Sequence, residues 1–238
     1  MEDFINDIFY IFSTIPEILT KLPISLFIAF SATLIGFILG ILIALVRFFH
    51  IKFLSQFFTA FISFVRGTPM IVQLYLAYYG IPLLISKIVE AQGNEFDMNA
   101  LPGTLFAIIA FALNTGAYMS ESFRSALSAV EAGQFEACKS LHYSTWESLR
   151  RVILPQAFVI AIPTLTSSLL AMIKNTSLAF CITVVDIMAQ ARIIGSRSYR
   201  YFEIYIAVSI IYWPICALLE RLLLLLEKRL SRFNKKIV

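Results

Sequence analysis

Long apolar runs without charge, separated by short clusters of polar and basic residues, dominate this chain. A helix needs about 20 apolar residues to cross the hydrocarbon core of a bilayer. Runs of that length cover Ile24–Val46, Gly67–Ser86, Met98–Ser120, Val152–Ile173 and Ile204–Leu226. The last is interrupted by Glu220 and Arg221, which the pattern places near the headgroups, where a long arginine stem lets its charge reach water. The piece Phe53–Val65 is too short to cross alone. It reads either as the cytoplasmic beginning of the second span or as an interfacial helix turning at Arg66-Gly67-Thr68-Pro69. The pattern therefore predicts an all-α polytopic membrane protein with about five transmembrane helices. An N-terminal segment covers 1–23, one membrane domain 24–226 and a basic tail 227–238.

Composition excludes the soluble alternative. Of 238 residues, 59% are hydrophobic and 14% charged, against about 45–50% and roughly 25% in soluble domains. A soluble core of that size would still require a polar surface, so lipid must be the solvent for much of this one. The net charge of +4 is spread over short loops and the tail and does not form a nucleic-acid patch. The three cysteines, Cys138, Cys181 and Cys216, lack metal-ligand or redox spacing. Glu2, Asp3 and Asp7 precede the first apolar run without a basic n-region, which argues against a cleaved signal peptide.

Charge also sets direction, because short cytoplasmic loops collect Lys and Arg. Arg47 and Lys52 lie after the first span. Lys139, Arg150 and Arg151 follow the third, and the tail carries Lys228, Arg229, Arg232, Lys235 and Lys236. The loop after the second span instead has Glu90, Glu95 and Asp97 against Lys87. Five spans with the tail inside put the N-terminus outside. Arg192, Arg197 and Arg200 run against this scheme, falling on a stretch it places outside.

The segment 127–152 is too patterned to be a mere connector. Gln134–Leu141 reads as a short helix with Phe135, Cys138 and Leu141 at three-residue intervals, and His142-Tyr143 ends it. Ser144-Thr145-Trp146-Glu147 has the spacing of a capping box, so a second helix starts there and runs through Leu149 and Val152 into Leu154-Pro155-Gln156. A segment lying on headgroups would show a longer apolar stripe and fewer acids. A protein partner fits this pattern better.

Glu136-Ala137-Cys138-Lys139-Ser140-Leu141, followed by Arg150-Arg151-Val152-Ile153-Leu154-Pro155-Gln156-Ala157, closely resembles the "EAA" loop of ABC importer permeases, in particular those of the polar amino acid family. Arg66-Gly67-Thr68-Pro69 with Gln73, Leu113-Asn114-Thr115-Gly116-Ala117-Tyr118 with Glu121 and Arg124, and Ile173-Lys174-Asn175-Thr176-Ser177-Leu178 resemble further signatures of that family, in the same order. The resemblance implies a type I ABC importer transmembrane domain in a bacterial cytoplasmic (inner) membrane. It also implies an ABC ATPase dimer, a second permease copy or homologue, and an extracytoplasmic amino-acid-binding protein as partners. Glu136, Ala137, Lys139, Leu141 and His142 would form the ATPase contact, with Ala137 and Leu141 filling a groove and Glu136 meeting a polar or basic group. His142 stands where the family usually has glycine. Histidine is among the residues that accept positive φ, and proton sensing is the alternative use of its ring. There is no G-x-x-x-x-G-K-[ST] loop in the chain, so ATP and magnesium would be bound by the partner and this chain would hold no cofactor and act as no enzyme.

Asn114, Tyr118 and Glu121 share one helical face and offer an amide, a phenol and a carboxylate to a zwitterion. An ionisable group within a span is a functional candidate, but Glu121 is also positioned to pair with Arg124 at i+3. Lys174, Asn175, Thr176 and Ser177 end the fourth span, where free backbone groups either bind a carboxylate or simply anchor the helix. Tyr78 is a further lining candidate beside Tyr75 and Tyr79. Gly36 and Gly40 form a small-residue face, for packing within the chain or between subunits. The run from Gly195-Ser196-Arg197-Ser198 through Tyr212-Trp213 looks most like permeases associated with cystine and related sulfur amino acids, with glutamine, histidine and arginine open. An ion-coupled carrier would need internal repeats and broken-helix ion ligands, and a membrane enzyme would need a nucleophile or metal set that His50 and His142, far apart, do not supply.

Overall fold

A computed structural model describes residues 2–95, 97 and 101–234. Its helices are α1 (Glu2–Leu19), α2 (Leu22–Phe48), α3 (Leu54–Gly67), α4 (Met70–Glu90), α5 (Gly103–Ser128), α6 (Ala132–Ser140), α7 (Thr145–Ile182), α8 (Ile187–Ser198) and α9 (Tyr201–Asn234). Among the described residues there is no strand. Five of these helices, α2, α4, α5, α7 and α9, are long and apolar enough to cross a membrane, so the fold is the expected all-α polytopic one. Along the outward face of α2, Phe27, Phe30, Leu34, Ile38 and Leu42 recur at three- and four-residue steps and stay exposed, as a lipid-facing stripe does.

The observed spans are longer than the apolar runs. Polar residues such as Glu121 and Arg124 continue α5 to Ser128, and α7 extends from Thr145 to Ile182. Hydropathy ends where charge begins, whereas a helix ends where its backbone is capped. Gly67 closes α3 and the second span begins at Met70 instead. The predicted start of the third span at Met98 lies outside the described residues, as do tail residues Lys235 and Lys236.

The centre of the bundle is the contact of α2 with α5. A Cβ on Gly36 would come within 2.7 Å of the Thr115 Cβ, and one on Gly40 within 2.8 Å of the Met119 Cβ. The small-residue face of α2 thus serves packing inside this chain. Within α4 and α7 the turns Leu76–Gly80 and Leu149–Ile153 are widened to π geometry, just before Pro82 and Pro155. Proline cannot donate to the carbonyl four residues back, and a wider turn relieves the clash.

α1 was not evident as an element from the apolar runs. It is amphipathic, and Ile11 and Ile18 are buried in a cluster with Ile187, Ala191, Ile194, Ile204 and Val208 from α8 and α9. Arg200 pairs there with Asp7 and with Glu203 (3.0 Å), and its guanidinium lies 4.3 Å from the centroid of the Tyr10 ring. Part of the positive charge that opposed the loop rule is therefore neutralised locally. Asp186 caps α8, accepting from Ala189 N at 2.8 Å, while its Oδ2 is buried without a partner. Burial pushes this carboxyl up to about 6.

Candidate functional site

The segment after Phe48 turns back into the bundle as α3, whose Ile62 and Val65 are buried against Ile43 of α2 and Ala117 of α5. Phe53–Val65 thus falls in a separate helix that turns at Thr68-Pro69, ahead of the second span. Thr68 and Pro69 are extended, so the helical path is broken between α3 and α4. Proline disfavours helix in the residue before it, which makes Thr68 the natural break. The break faces the middle of α5, where Asn114 lies about 17 Å from the helix start at 1.5 Å per residue.

A broken helix in lipid needs internal partners for its freed carbonyls. Gln73 supplies them. Its Nε2 donates to Val65 O (2.8 Å), Thr68 O (3.1 Å) and Thr68 Oγ1 (3.0 Å), and its Oε1 accepts from Asn114 Nδ2 (2.9 Å). The break is thereby locked to α5.

Beside it lies a cavity of about 380 Å³ walled by α4, α5 and α7, including Thr68, Asn114, Thr115, Tyr118, Ser168 and Asn175. Thr115 is buried and its hydroxyl has no partner. A second cavity of about 560 Å³ continues toward Ala129, lined by Arg66, Glu121 and Arg124. The two share Tyr118 and Thr164, so they adjoin and make one track along α5. Arg66 lies over the Tyr118 ring, 5.7 Å from its centroid. Glu121 is ion-paired with Arg47 of α2 and with Arg124 (2.9 Å). The i+3 pair and the position on the track are both present.

Asn114, Tyr118, Glu121 and Asn175 are thus brought together along this track, and four other candidates are not. Tyr78 sets its ring edge-on to Phe106, centroids 5.7 Å apart, within the core. Thr176 is fully buried and donates to Ile173 O (2.7 Å), Ser177 donates to Lys174 O (2.7 Å), and Lys174 is exposed. Those three sit where α7 tightens from α-helical to 3-10 turns after Asn175. Sequence reasoning missed Thr164, Ser167, Ser168 and Ala171. Their spacing before Asn175 is the signal: small and hydroxyl residues at i, i+3, i+4, i+7 and i+11 make one helical stripe.

At the far end of α5, α6 projects a mixed surface. Phe135 and Cys138 turn inward onto the bundle, while Glu136, Ala137, Lys139, Leu141 and His142 are exposed. Leu141 is 67% exposed, because the helix ends at Ser140 and the chain turns away from the buried side of Phe135 and Cys138. His142 has φ 58°, and Tyr143 N bonds Cys138 O at 3.0 Å, which is a Schellman ending. Ser144 and Glu147 form the predicted capping box, with Glu147 N donating to Ser144 Oγ (3.2 Å) and Ser144 N to Glu147 Oε2 (3.0 Å). Among the described residues no cluster of His, Cys, Asp and Glu is suited to a metal.

Residues 36–232 match the family model described as "binding-protein-dependent transport system inner membrane component". The chain is 37% identical over 223 residues to the probable amino-acid permease protein YxeN of Bacillus subtilis (strain 168), covering 94% of this chain and 95% of that one. It is 35% identical over 224 residues to the L-cystine transport system permease protein TcyL of the same organism, covering 94% and 91%. A crystal structure of an amino acid ABC transporter with histidines superposes with a TM-score of 0.77 at 34% identity, over 90% of this chain and 94% of that one. The inward-facing MetNI methionine ABC transporter shares the fold, with a TM-score of 0.68 at 14% identity, over the same shares.

Proposed function

This chain belongs to the family of binding-protein-dependent transport system inner membrane components, in its polar amino-acid branch, and from that premise we propose that it passes L-cystine or a related sulfur amino acid into the cytoplasm along the track between Asn175 and Ala129. The protein is the permease subunit of an amino-acid ABC importer, multi-pass in the inner membrane, and is a transport component without catalytic activity. ATPase and substrate-binding subunits are the partners of such a permease.

The carrying observation is the continuity of the two polar cavities through Tyr118 and Thr164. Asn114, Tyr118 and Asn175 contact the substrate in this reading, and Glu121 with its two arginines forms the inner mouth. An open wall on one chain needs a facing wall, supplied by a second permease copy or a homologue. Glu136, Ala137, Lys139, Leu141 and His142 dock the ATPase dimer, which binds ATP and magnesium. Inward movement of substrate then follows from force applied to α6, which is joined to α5 and α7 by short turns. The N-terminus is outside and the tail cytoplasmic, which puts α6 on the ATPase side. The L-cystine name of one relative, at 35% identity, supports the cargo.

The test is cystine uptake by the reconstituted complex when the partner ATPase has lost its phosphate-loop lysine. Uptake is expected to collapse. Uptake that persists without ATP hydrolysis would instead assign the chain to ion-coupled carriers.

A further inference from the structure

The charges on the track point to a narrower substrate class, and this step rests on the pathway proposed above. The wall of the first cavity contains hydroxyl, amide and apolar groups, and no carboxylate or basic side chain. Its acceptors are neutral: Ser168 Oγ donates to Thr164 O (2.9 Å) and Asn114 Nδ2 to Gln73 Oε1 (2.9 Å), so both residues keep a neutral oxygen as acceptor. Beyond Tyr118 the balance turns positive. Arg66 and Arg124 line the second cavity, Arg47 reaches its carboxylate from α2, and Glu121 is the one acid, ion-paired with two of these three guanidiniums. Among the described residues no carboxylate pairs with Arg66.

We infer that the track of this permease admits amino acids without net positive charge and rejects cationic ones. A zwitterion brings its own carboxylate and ammonium, which the hydroxyls, amides and arginine-rich mouth can satisfy. Arginine or lysine brings one more cation, which loses water in a cavity with no anion and then meets like charge at the mouth. At the effective dielectric of a partly hydrated site, one like charge within about 8 Å weakens binding by tenfold or more. A cavity of about 380 Å³ lies within the ordinary range for small-ligand sites, so size does not make this distinction.

The experiment measures equilibrium binding of radiolabelled L-cystine, L-glutamine, L-arginine and L-lysine to the assembled permease–ATPase complex in nanodiscs, with the binding protein left out. Cystine or glutamine is expected to bind at least about tenfold more tightly than arginine or lysine. Ser168→Asp puts an acid on the wall and is expected to close that gap. Asn175→Asp is the second version, should the first variant fail to assemble. Equal binding of arginine and cystine by the unaltered complex overturns the charge rule and leaves the transport reading standing. Binding of none of the four by a complex that still hydrolyses ATP overturns the pathway reading, and the charge rule with it.

Discussion

Replacing Gln73 by methionine tests whether the break between α3 and α4 is held by a side chain. Methionine keeps the length and volume of the residue and removes the amide, so packing is preserved. Four groups then lose a partner: the Val65 and Thr68 carbonyls, the Thr68 hydroxyl and the Asn114 amide. Side-chain hydrogen bonds inside membranes average about 0.6 kcal/mol and reach about 1.7, while an orphaned buried polar group costs about 1–3 kcal/mol. Gln73 is only 8% exposed, so water replaces little of the loss. Together these give a destabilisation of about 2–5 kcal/mol. The assay is detergent-induced unfolding of the purified protein in lipid, followed by tryptophan fluorescence from Trp146 and Trp213. Gln73→Glu is the harsher control, since it presents an anion to two carbonyl oxygens. A loss below about 0.5 kcal/mol for the methionine variant, or a glutamate variant as stable as wild type, would refute the role of the amide as the clamp of the α3–α4 break.

Three further outcomes are expected. Glu136→Lys should leave the permease in the membrane but weaken ATPase capture in a pull-down, because the exposed face of α6 loses its acid; undiminished capture with normal transport removes the docking assignment. Glu121→Gln should lower uptake while the complex remains assembled, since Arg47 and Arg124 lose their shared carboxylate at the inner mouth, and unchanged kinetics would make that pair purely structural. Asp186 titrates in the fold near 6, above its usual range; its charged form is the disfavoured one, so stability is full below about pH 4 and falls as pH rises through about 6, by up to roughly 3 kcal/mol. Asp186→Asn keeps an N-cap acceptor for Ala189 and should flatten that slope in pH-dependent melting.

The spans, the capping box at Ser144 and the left-handed turn at His142 were legible because each depends on residues close in sequence. Apolar runs report lipid contact, and caps report local hydrogen bonding. The boundaries were less legible, since charge marks where a run ends and a helix can continue past it, as α5 does through Glu121 to Ser128. α1 was missed because its period, Ile11 to Ile18, is short and becomes meaningful only against α8 and α9.

The candidate track divides in the same way. The face Asn114–Tyr118–Glu121 follows from helical spacing alone, and so does the stripe from Thr164 to Asn175. Local order along the chain also determined the fold class, the number of spans and the exposed character of α6. Whether Tyr78 lines a cavity or a core, whether Gly36 meets its own α5 or another subunit, and whether Glu121 stands alone or between two arginines were decided only by tertiary packing. Those outcomes depend on which residues far apart in sequence come within a few ångströms. Arg47 and Glu121 are 74 positions apart, and spacing along one helix carries no information about a partner on another.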